Sequence, residues 1–163
     1  MKTIYLSLGS NMGSRMANIE GAIKALSARG IRVTRRSEIY ETEPVDVRDR
    51  GWFLNCVIEA EAEMDPEQLM QTLLQIERFF GRERRVPKGP RPLDIDILLF
   101  GSDVVSRPEL KIPHPRMSER RFVLVPFAEI APGVRHPVLG RTIADLLADT
   151  TDRSEVKKRT TSD

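Results

Sequence analysis

Asp94 and Asp96 stand one residue apart in RPLDIDILLF, residues 91–100, a stretch that is otherwise apolar. Side chains in an extended strand alternate, so both carboxylates project from one face while Leu93, Ile95 and Ile97 project from the other. At about 6–7 Å along the strand, the two carboxylates repel each other unless a cation lies between them. Mg²⁺ suits such a pair, because it takes one or two carboxylates and completes its shell with water and substrate phosphate. Two ions roughly 3.5–4 Å apart can share the pair. A solvated sheet face also tolerates aspartates, and D-x-D alone does not separate the two cases. Two features favour metal. Aspartate is disfavoured in strands, and Leu98 and Phe100 are expected to continue the aspartate face as apolar residues, which is not the pattern of a merely solvated surface.

The segment before this strand, RERRVPKGPRP, supplies Arg82, Arg84, Arg85, Lys88 and Arg91. Arg116, Arg120 and Arg121 form a second basic group. Guanidinium forks match phosphate oxygens bidentately. Gly81 and Gly89 give the first segment the composition of a lid over a polyphosphate. Without the aspartates, a solvated basic loop explains it equally well. With them, the set resembles a phosphoryl-transfer site, where catalysis is mostly positioning and charge neutralisation. No G-x-x-x-x-G-K-[ST] motif is present, so this is not a P-loop enzyme.

The elements that must hold these residues follow from periodicity. TIYLSL, residues 3–8, alternates as a strand with Ile4, Leu6 and Leu8 on one face. GSNMGS forms a turn, and Asn11 or Ser14 is expected to cap a helix carrying Ile19, Ala22, Ile23 and Leu26. Gly30 ends that helix. Residues 31–42 and 53–63 read as strands, separated by a polar loop with Pro44 and Gly51. Asp65 and Pro66 open a second helix with Leu69, Leu73, Ile76 and Phe80 on one face, stopped at Gly81. The aspartate strand follows at 93–100, with 101–106 expected to form a short hairpin with it. Short helices are expected near 118–130 and 142–148, and the polar residues beyond about 150 are expected to fray. The order strand, helix, strand, strand, helix, strand predicts an α+β, ferredoxin-like βαββαβ sandwich. Both helices cover one sheet face and the site occupies the other. One domain spans 1–150, and 151–163 is a polar tail.

Composition fits a single globular unit: 40% hydrophobic and 31% charged residues in 163 allow a sizeable core. A net charge of +2 does not argue for nucleic acid, whereas the local basic groups argue for an anionic ligand. The lone cysteine, Cys56, excludes an internal disulfide framework and fits a reducing cytosol. With no signal-peptide pattern and no apolar run of spanning length, the expectation is a cytoplasmic monomer with small-molecule partners and neither nucleic acid nor membrane.

GPRPLDIDILLFG resembles the signature of the 6-hydroxymethyl-7,8-dihydropterin pyrophosphokinase family. The resemblance covers nearly the whole chain: LSLGSNMG, YETEP, FLNCV, IERFFGRER and IPHPRMSERRFVLVPFAEIAP follow in the family's order. It implies a ferredoxin-like fold and transfer of the β,γ-pyrophosphoryl group of ATP to the pterin hydroxymethyl oxygen, releasing AMP. By position, it implies that Asp94 and Asp96 hold two Mg²⁺ and that Arg82 and Arg91 reach the phosphates from the lid. Glu77, Lys111, His114, Arg116 and Arg120 then line the ATP side. Thr42, Pro44, Phe53, Asn55 and Phe122 line the pterin side. A flat pterin suits two aromatic walls, Phe53 and Phe122, and its donor–acceptor edge suits the amide of Asn55. Cys56 points opposite to Asn55, into the core. Two positions depart from the family's pattern. Lys88 stands where relatives often carry Trp, leaving Trp52 in another loop, and Glu109 stands where some carry a basic residue.

Two other functions share this topology. RNA-recognition domains need paired aromatics on the sheet face, where this chain has aspartates that repel phosphate. A small-ligand regulatory domain gives no role to an arginine-rich loop beside two carboxylates.

Overall fold

The structure, a computed structural model, describes residues 1–44, 51–81 and 92–159. Strand β1 (Lys2–Ser10) is central, paired antiparallel with β4 (Phe53–Ala62) on one side and β5 (Asp94–Phe100) on the other. Strands β2 (Arg32–Arg36) and β3 (Tyr40–Thr42) both run antiparallel to β4. They are one crossing broken at Ser37, whose backbone N–H donates to the Val57 carbonyl and whose Oγ accepts the Val57 N–H at 3.0 Å. The path across the sheet is β5-β1-β4-β3-β8, where β8 is Val156–Lys158, with β2 also on β4. With helices α1 (Arg15–Ala28) and α2 (Pro66–Phe79) between strands, this is the expected βαββαβ arrangement.

The helices form for local reasons that differ. Asp65 and Gln68 make a reciprocal capping box at the start of α2, with Pro66 in the first turn. For α1, Ser14 occupies the cap position without a side-chain bond. Asn18 reaches back instead, donating to the Met12 carbonyl at 3.0 Å and to Ser10 Oγ at 3.2 Å. Ser14 is thus the cap by position, as expected, and the Asn18 amide ties the preceding turn to the helix without accepting a helix N–H. Gly30 and Gly81 end the two helices at φ of +83° and +86°, a conformation that penalises a Cβ.

One sheet face presents Ile4, Leu6, Leu8, Leu54, Cys56, Ile58 and Ile95 to Ile19 and Leu26 of α1 and Leu69, Leu73 and Ile76 of α2. Each fully buried Leu or Ile contributes roughly 1.5–3 kcal/mol, so this face anchors the fold. The opposite face is half covered. Tyr5, Val57, Leu98 and Leu99 pack under α3 (Arg121–Ile130) and α4 (Ile143–Asp149) through Val123, Leu124, Phe127, Ile143 and Leu146. This face is therefore open only beyond these helices, not along its whole length.

Three sequence expectations need correction. Phe100 does not continue the aspartate face. Leu6 pairs with Ile97 and Tyr5 with Leu99, which leaves Leu98 as an extra residue. This bulge puts Leu98 and Leu99 together in the second core and returns Phe100 to the first, because a one-residue slip reverses side-chain facing. The segment after Gly101 pairs not with β5 but as β6 (Val105–Arg107) with β7 (Leu110–Ile112). Finally, residues beyond 150 do not all fray. Strand β8 (Val156–Lys158) adds to the edge of β3, since exposed edge groups accept any strand that reaches them.

Candidate active site

The sheet register assembles the site. Gly9 of β1 lies opposite Asp94 of β5 on one side and Asn55 of β4 on the other, and Asn55 lies opposite Tyr40 of β3. Residues directly opposite one another share a face, so Asp94, Gly9 and Asn55 form one row. Ser7 forms the next row between Asp96 and Val57. Strands are about 4.8 Å apart, which puts the Asp94 and Asn55 backbones roughly 10 Å apart across Gly9.

Gly9 is required there. A Cβ at this position would lie 2.6 Å from Asn55 Oδ1 and 3.5 Å from Phe53 Cδ2. The amide of Asn55 therefore lies over bare backbone. Its Nδ2 donates to Thr42 Oγ1 at 2.6 Å, and the two residues are 4% and 1% exposed. Buried polar groups of this kind need partners, and this pair fixes the amide's orientation. Phe53, two residues before Asn55 on β4, and Pro44, two residues after Thr42, are half-buried. Phe122, in the first turn of α3, packs against the second core, with the Arg120 guanidinium 5.5 Å from its ring centroid, within cation–π range.

On the far side of β5 lies a cleft of about 510 Å³ between α2 and the β6–β7 segment. Glu77, Asp96, Lys111 and His114 line it, with Leu73, Leu74 and Ile97 as apolar wall. Glu109, the departure noted above, is also at this wall. Glu77 does more than face the cleft. It is 3% exposed, and its Oε2 accepts the Ile95 N–H at 2.7 Å. Among the described strands β5 is outermost, and that N–H lies on its outer edge, so Glu77 bonds the edge between Asp94 and Asp96. The sequence spacing carried no hint of this, since an edge N–H is invisible until strands are ordered.

His114 is held by its own N–H, which donates to the Leu98 carbonyl at 3.1 Å. Its Nδ1 accepts the Arg116 N–H at 3.2 Å, which assigns the ring proton to Nε2 in the neutral form. Burial pushes the imidazole down to about 4, with Arg120 adding to the shift, Asp94 opposing it and Arg116 adding again. The ring is therefore neutral at pH 7 and lies within the field of both Asp94 and the arginines. Arg116 also pairs with Glu119 at 3.8 Å on the surface.

The two aspartates are half-buried on the same face. Among the described residues, no group of three or more His, Cys, Asp or Glu side chains forms a metal cage. Two such carboxylates fit Mg²⁺, which commonly takes its remaining ligands from water and phosphate. Arg82, Arg91 and Lys88 lie outside the described residues. Trp52 is half-buried and its carbonyl accepts from Arg15 at 2.9 Å. Sequence reasoning missed Gly9 and the Arg15–Glu41–Arg159 ion cluster. Gly9 stood inside a quoted motif but read only as part of a turn. Among the described residues, no helix is long and apolar enough to cross a membrane.

Comparison with known proteins places the chain in a family. The family model for 7,8-dihydro-6-hydroxymethylpterin-pyrophosphokinase matches residues 5–132. A 2-amino-4-hydroxy-6-hydroxymethyldihydropteridine pyrophosphokinase of Methylorubrum extorquens is 43% identical over 149 residues, covering 91% of this chain and 93% of that one. The Bacillus subtilis protein of the same name is 44% identical over 127 residues, 77% and 76% of the two chains. A folic acid synthesis protein of Pneumocystis carinii is 41% identical over 143 residues, but those cover 88% of this chain and only 19% of that longer one. Among solved structures, a Plasmodium falciparum HPPK-DHPS chain described with pterin and p-hydroxybenzoate has a TM-score of 0.72 at 15% identity. It covers 90% of this chain and 43% of its own, and at that identity it bears on the fold alone. The chain belongs to the 7,8-dihydro-6-hydroxymethylpterin-pyrophosphokinase family.

Proposed function

We propose that this protein transfers the β,γ-pyrophosphoryl group of ATP to 6-hydroxymethyl-7,8-dihydropterin, releasing AMP, in folate biosynthesis. The observation that carries this reading is the row Asp94, Gly9, Asn55. It sets a carboxylate pair and an oriented amide on one sheet face, separated by about the span of a flat bicyclic ring and its hydroxymethyl arm. The names of the bacterial relatives point the same way.

On this reading the Asn55 amide, fixed by Thr42, takes the donor–acceptor edge of the pterin. Phe53 and Phe122 are its aromatic walls, with Pro44 at the rim. The hydroxymethyl group then points along the row toward Asp94. The cleft beyond β5 takes ATP, with Glu77, Lys111, His114, Arg116 and Arg120 around it and Arg82 and Arg91 acting from the lid. Asp94 and Asp96 would hold Mg²⁺, two ions on the fuller reading, which when bound neutralise phosphate charge. The hydroxymethyl oxygen forms its bond to the β-phosphorus, the bond from that phosphorus to the α–β bridging oxygen breaks, and AMP leaves with that oxygen. The chain's own contribution is alignment: Glu77 fixes the aspartate strand, and Asn55 and the aromatics fix the attacking group. The protein acts on small molecules as a cytoplasmic monomer, with no nucleic-acid or membrane partner, and 1–150 is the catalytic domain.

The test is AMP formation from ATP and the pterin alcohol across a Mg²⁺ series. AMP in equimolar amount with pterin pyrophosphate, lost on chelation, supports the assignment. ADP in place of AMP, or no turnover at saturating substrates, overturns it.

A further inference from the structure

The C-terminal segment 151–159 lies beyond the residues that the family model matches, yet it touches three parts of the proposed pterin pocket. First, β8 pairs with β3, placing Val156 opposite Thr42, Lys157 opposite Glu41 and Lys158 opposite Tyr40. Backbone bonds continue past both ends of the ladder: Glu43 N–H donates to the Glu155 carbonyl at 3.2 Å and Arg159 N–H to the Ile39 carbonyl at 2.7 Å. Second, Asp152 Oδ2 accepts the Arg121 N–H at 2.8 Å, and the Arg121 guanidinium donates to the Ser154 carbonyl at 3.2 Å. This ties the segment to the first turn of α3, next to Phe122. Third, the Arg159 guanidinium donates to Glu41 Oε1 at 3.0 Å while Arg15 donates to Glu41 Oε2 at 2.9 Å and to the Trp52 carbonyl at 2.9 Å. That chain of contacts ends at the residue before Phe53.

We infer that residues 151–159 are a strap that sets the spacing of the pterin walls, with Arg159 and Asp152 as positioning residues for Thr42, Phe53 and Phe122. Thr42 sits on a strand of three residues, Tyr40–Thr42, too short to hold itself in place. With β4 alone beside it, β3 is a sheet edge, and β8 covers that edge. The side chain of Arg159 is 14% exposed and that of Arg15 is 20% exposed, so their attraction to Glu41 is less screened than a surface pair. None of these groups lines the β5 cleft, so the strap acts mainly on the pterin side. The inference rests on the pterin assignment made above.

The experiment compares Arg159→Ala, Arg159→Lys and Asp152→Ala in the full chain. It measures the dissociation constants of the pterin alcohol and of a non-hydrolysable ATP analogue, and the thermal melt. Arg159→Ala and Asp152→Ala each raise the pterin constant about three- to tenfold and leave the nucleotide constant within about twofold, and Arg159→Lys restores most of the loss. Unchanged pterin binding overturns the strap, as does a parallel loss for both ligands in step with the melt. Should Arg159→Ala fail to fold, Glu41→Gln carries the same comparison from the other side of the ion cluster. A wild-type chain that binds nucleotide but no pterin overturns the pterin assignment and the strap with it, whereas wild-type pterin binding with unaffected variants removes the strap alone.

Discussion

The two sides of the site are built in opposite ways. On the side proposed for the pterin, Thr42 and Asn55 are buried, bonded to each other and set on paired strands, with bare backbone at Gly9 beneath the Asn55 amide. On the proposed nucleotide side, Asp94 and Asp96 are half-buried on the edge strand β5, Lys111 is exposed on β7, and Arg116 is exposed on the turn that follows. The first side can be rigid because a flat heterocycle needs a fixed slot. The second places two like charges on one strand face, the arrangement that the proposed metal and phosphate would neutralise. Glu77 reconciles these demands. It stiffens the backbone of the aspartate strand through Ile95 while leaving both aspartates on the opposite, open face.

The largest effect separating the two sides is expected from Asp96→Asn. It keeps volume but removes one charge, and turnover should fall about 10²–10³-fold, the scale of one preorganised electrostatic group. The metal-free melt should not fall, because repulsion between the aspartates is relieved. Raised Mg²⁺ should recover part of the rate. Wild-type turnover at low Mg²⁺ would remove Asp96 from the metal site.

On the other side, Phe122→Ala should weaken pterin binding by roughly 1–3 kcal/mol with less effect on nucleotide. Titration calorimetry for each ligand decides it, and equal losses would mean that Phe122 serves the second core rather than the pocket. Gly9→Ala should push the Asn55 amide off Thr42, since the new Cβ has no room at 2.6 Å. A cost of about 1–3 kcal/mol in stability, typical of overpacking, should accompany a rise in pterin KM that exceeds any rise in ATP KM. If both constants rise together, the boundary between the two sides does not run through Gly9.

The smallest effect is the pH dependence of the nucleotide side. The His114 pKa lies at about 4 in the folded protein against 6.5 for the free group. Between those values the unfolded chain binds more protons than the folded one, so stability rises with pH in that window. The contribution of His114 is complete above pH 6.5 and is lost as pH falls toward 4. His136, also held low by burial, acts in the same direction. His114→Gln should therefore flatten, but not abolish, the acid limb of a metal-free melting series. An unchanged limb would mean that the ring is more solvated than its cleft implies.

Much of this could be read from the chain because alternation and capping are local. Ile4, Leu6 and Leu8 fixed a strand face, and Leu69, Leu73 and Ile76 a helix face. Asp65 with Pro66 marked the start of α2, and the spacing of Asp94 and Asp96 put both carboxylates on one side. The fold class also followed, because few topologies satisfy strand, helix, strand, strand, helix, strand. Tertiary structure alone decided the rest. Leu98 became a bulge only when β5 met β1, and Phe100 changed faces as a result. The edge N–H of Ile95 called for Glu77 only once β5 was the outermost strand. The polar residues after 150 looked unable to order because their composition buries little, yet an uncovered edge on β3 offered them backbone partners. Local periodicity records how a residue relates to its neighbours in sequence, whereas edges, bulges and rows exist only between segments that are distant in the chain.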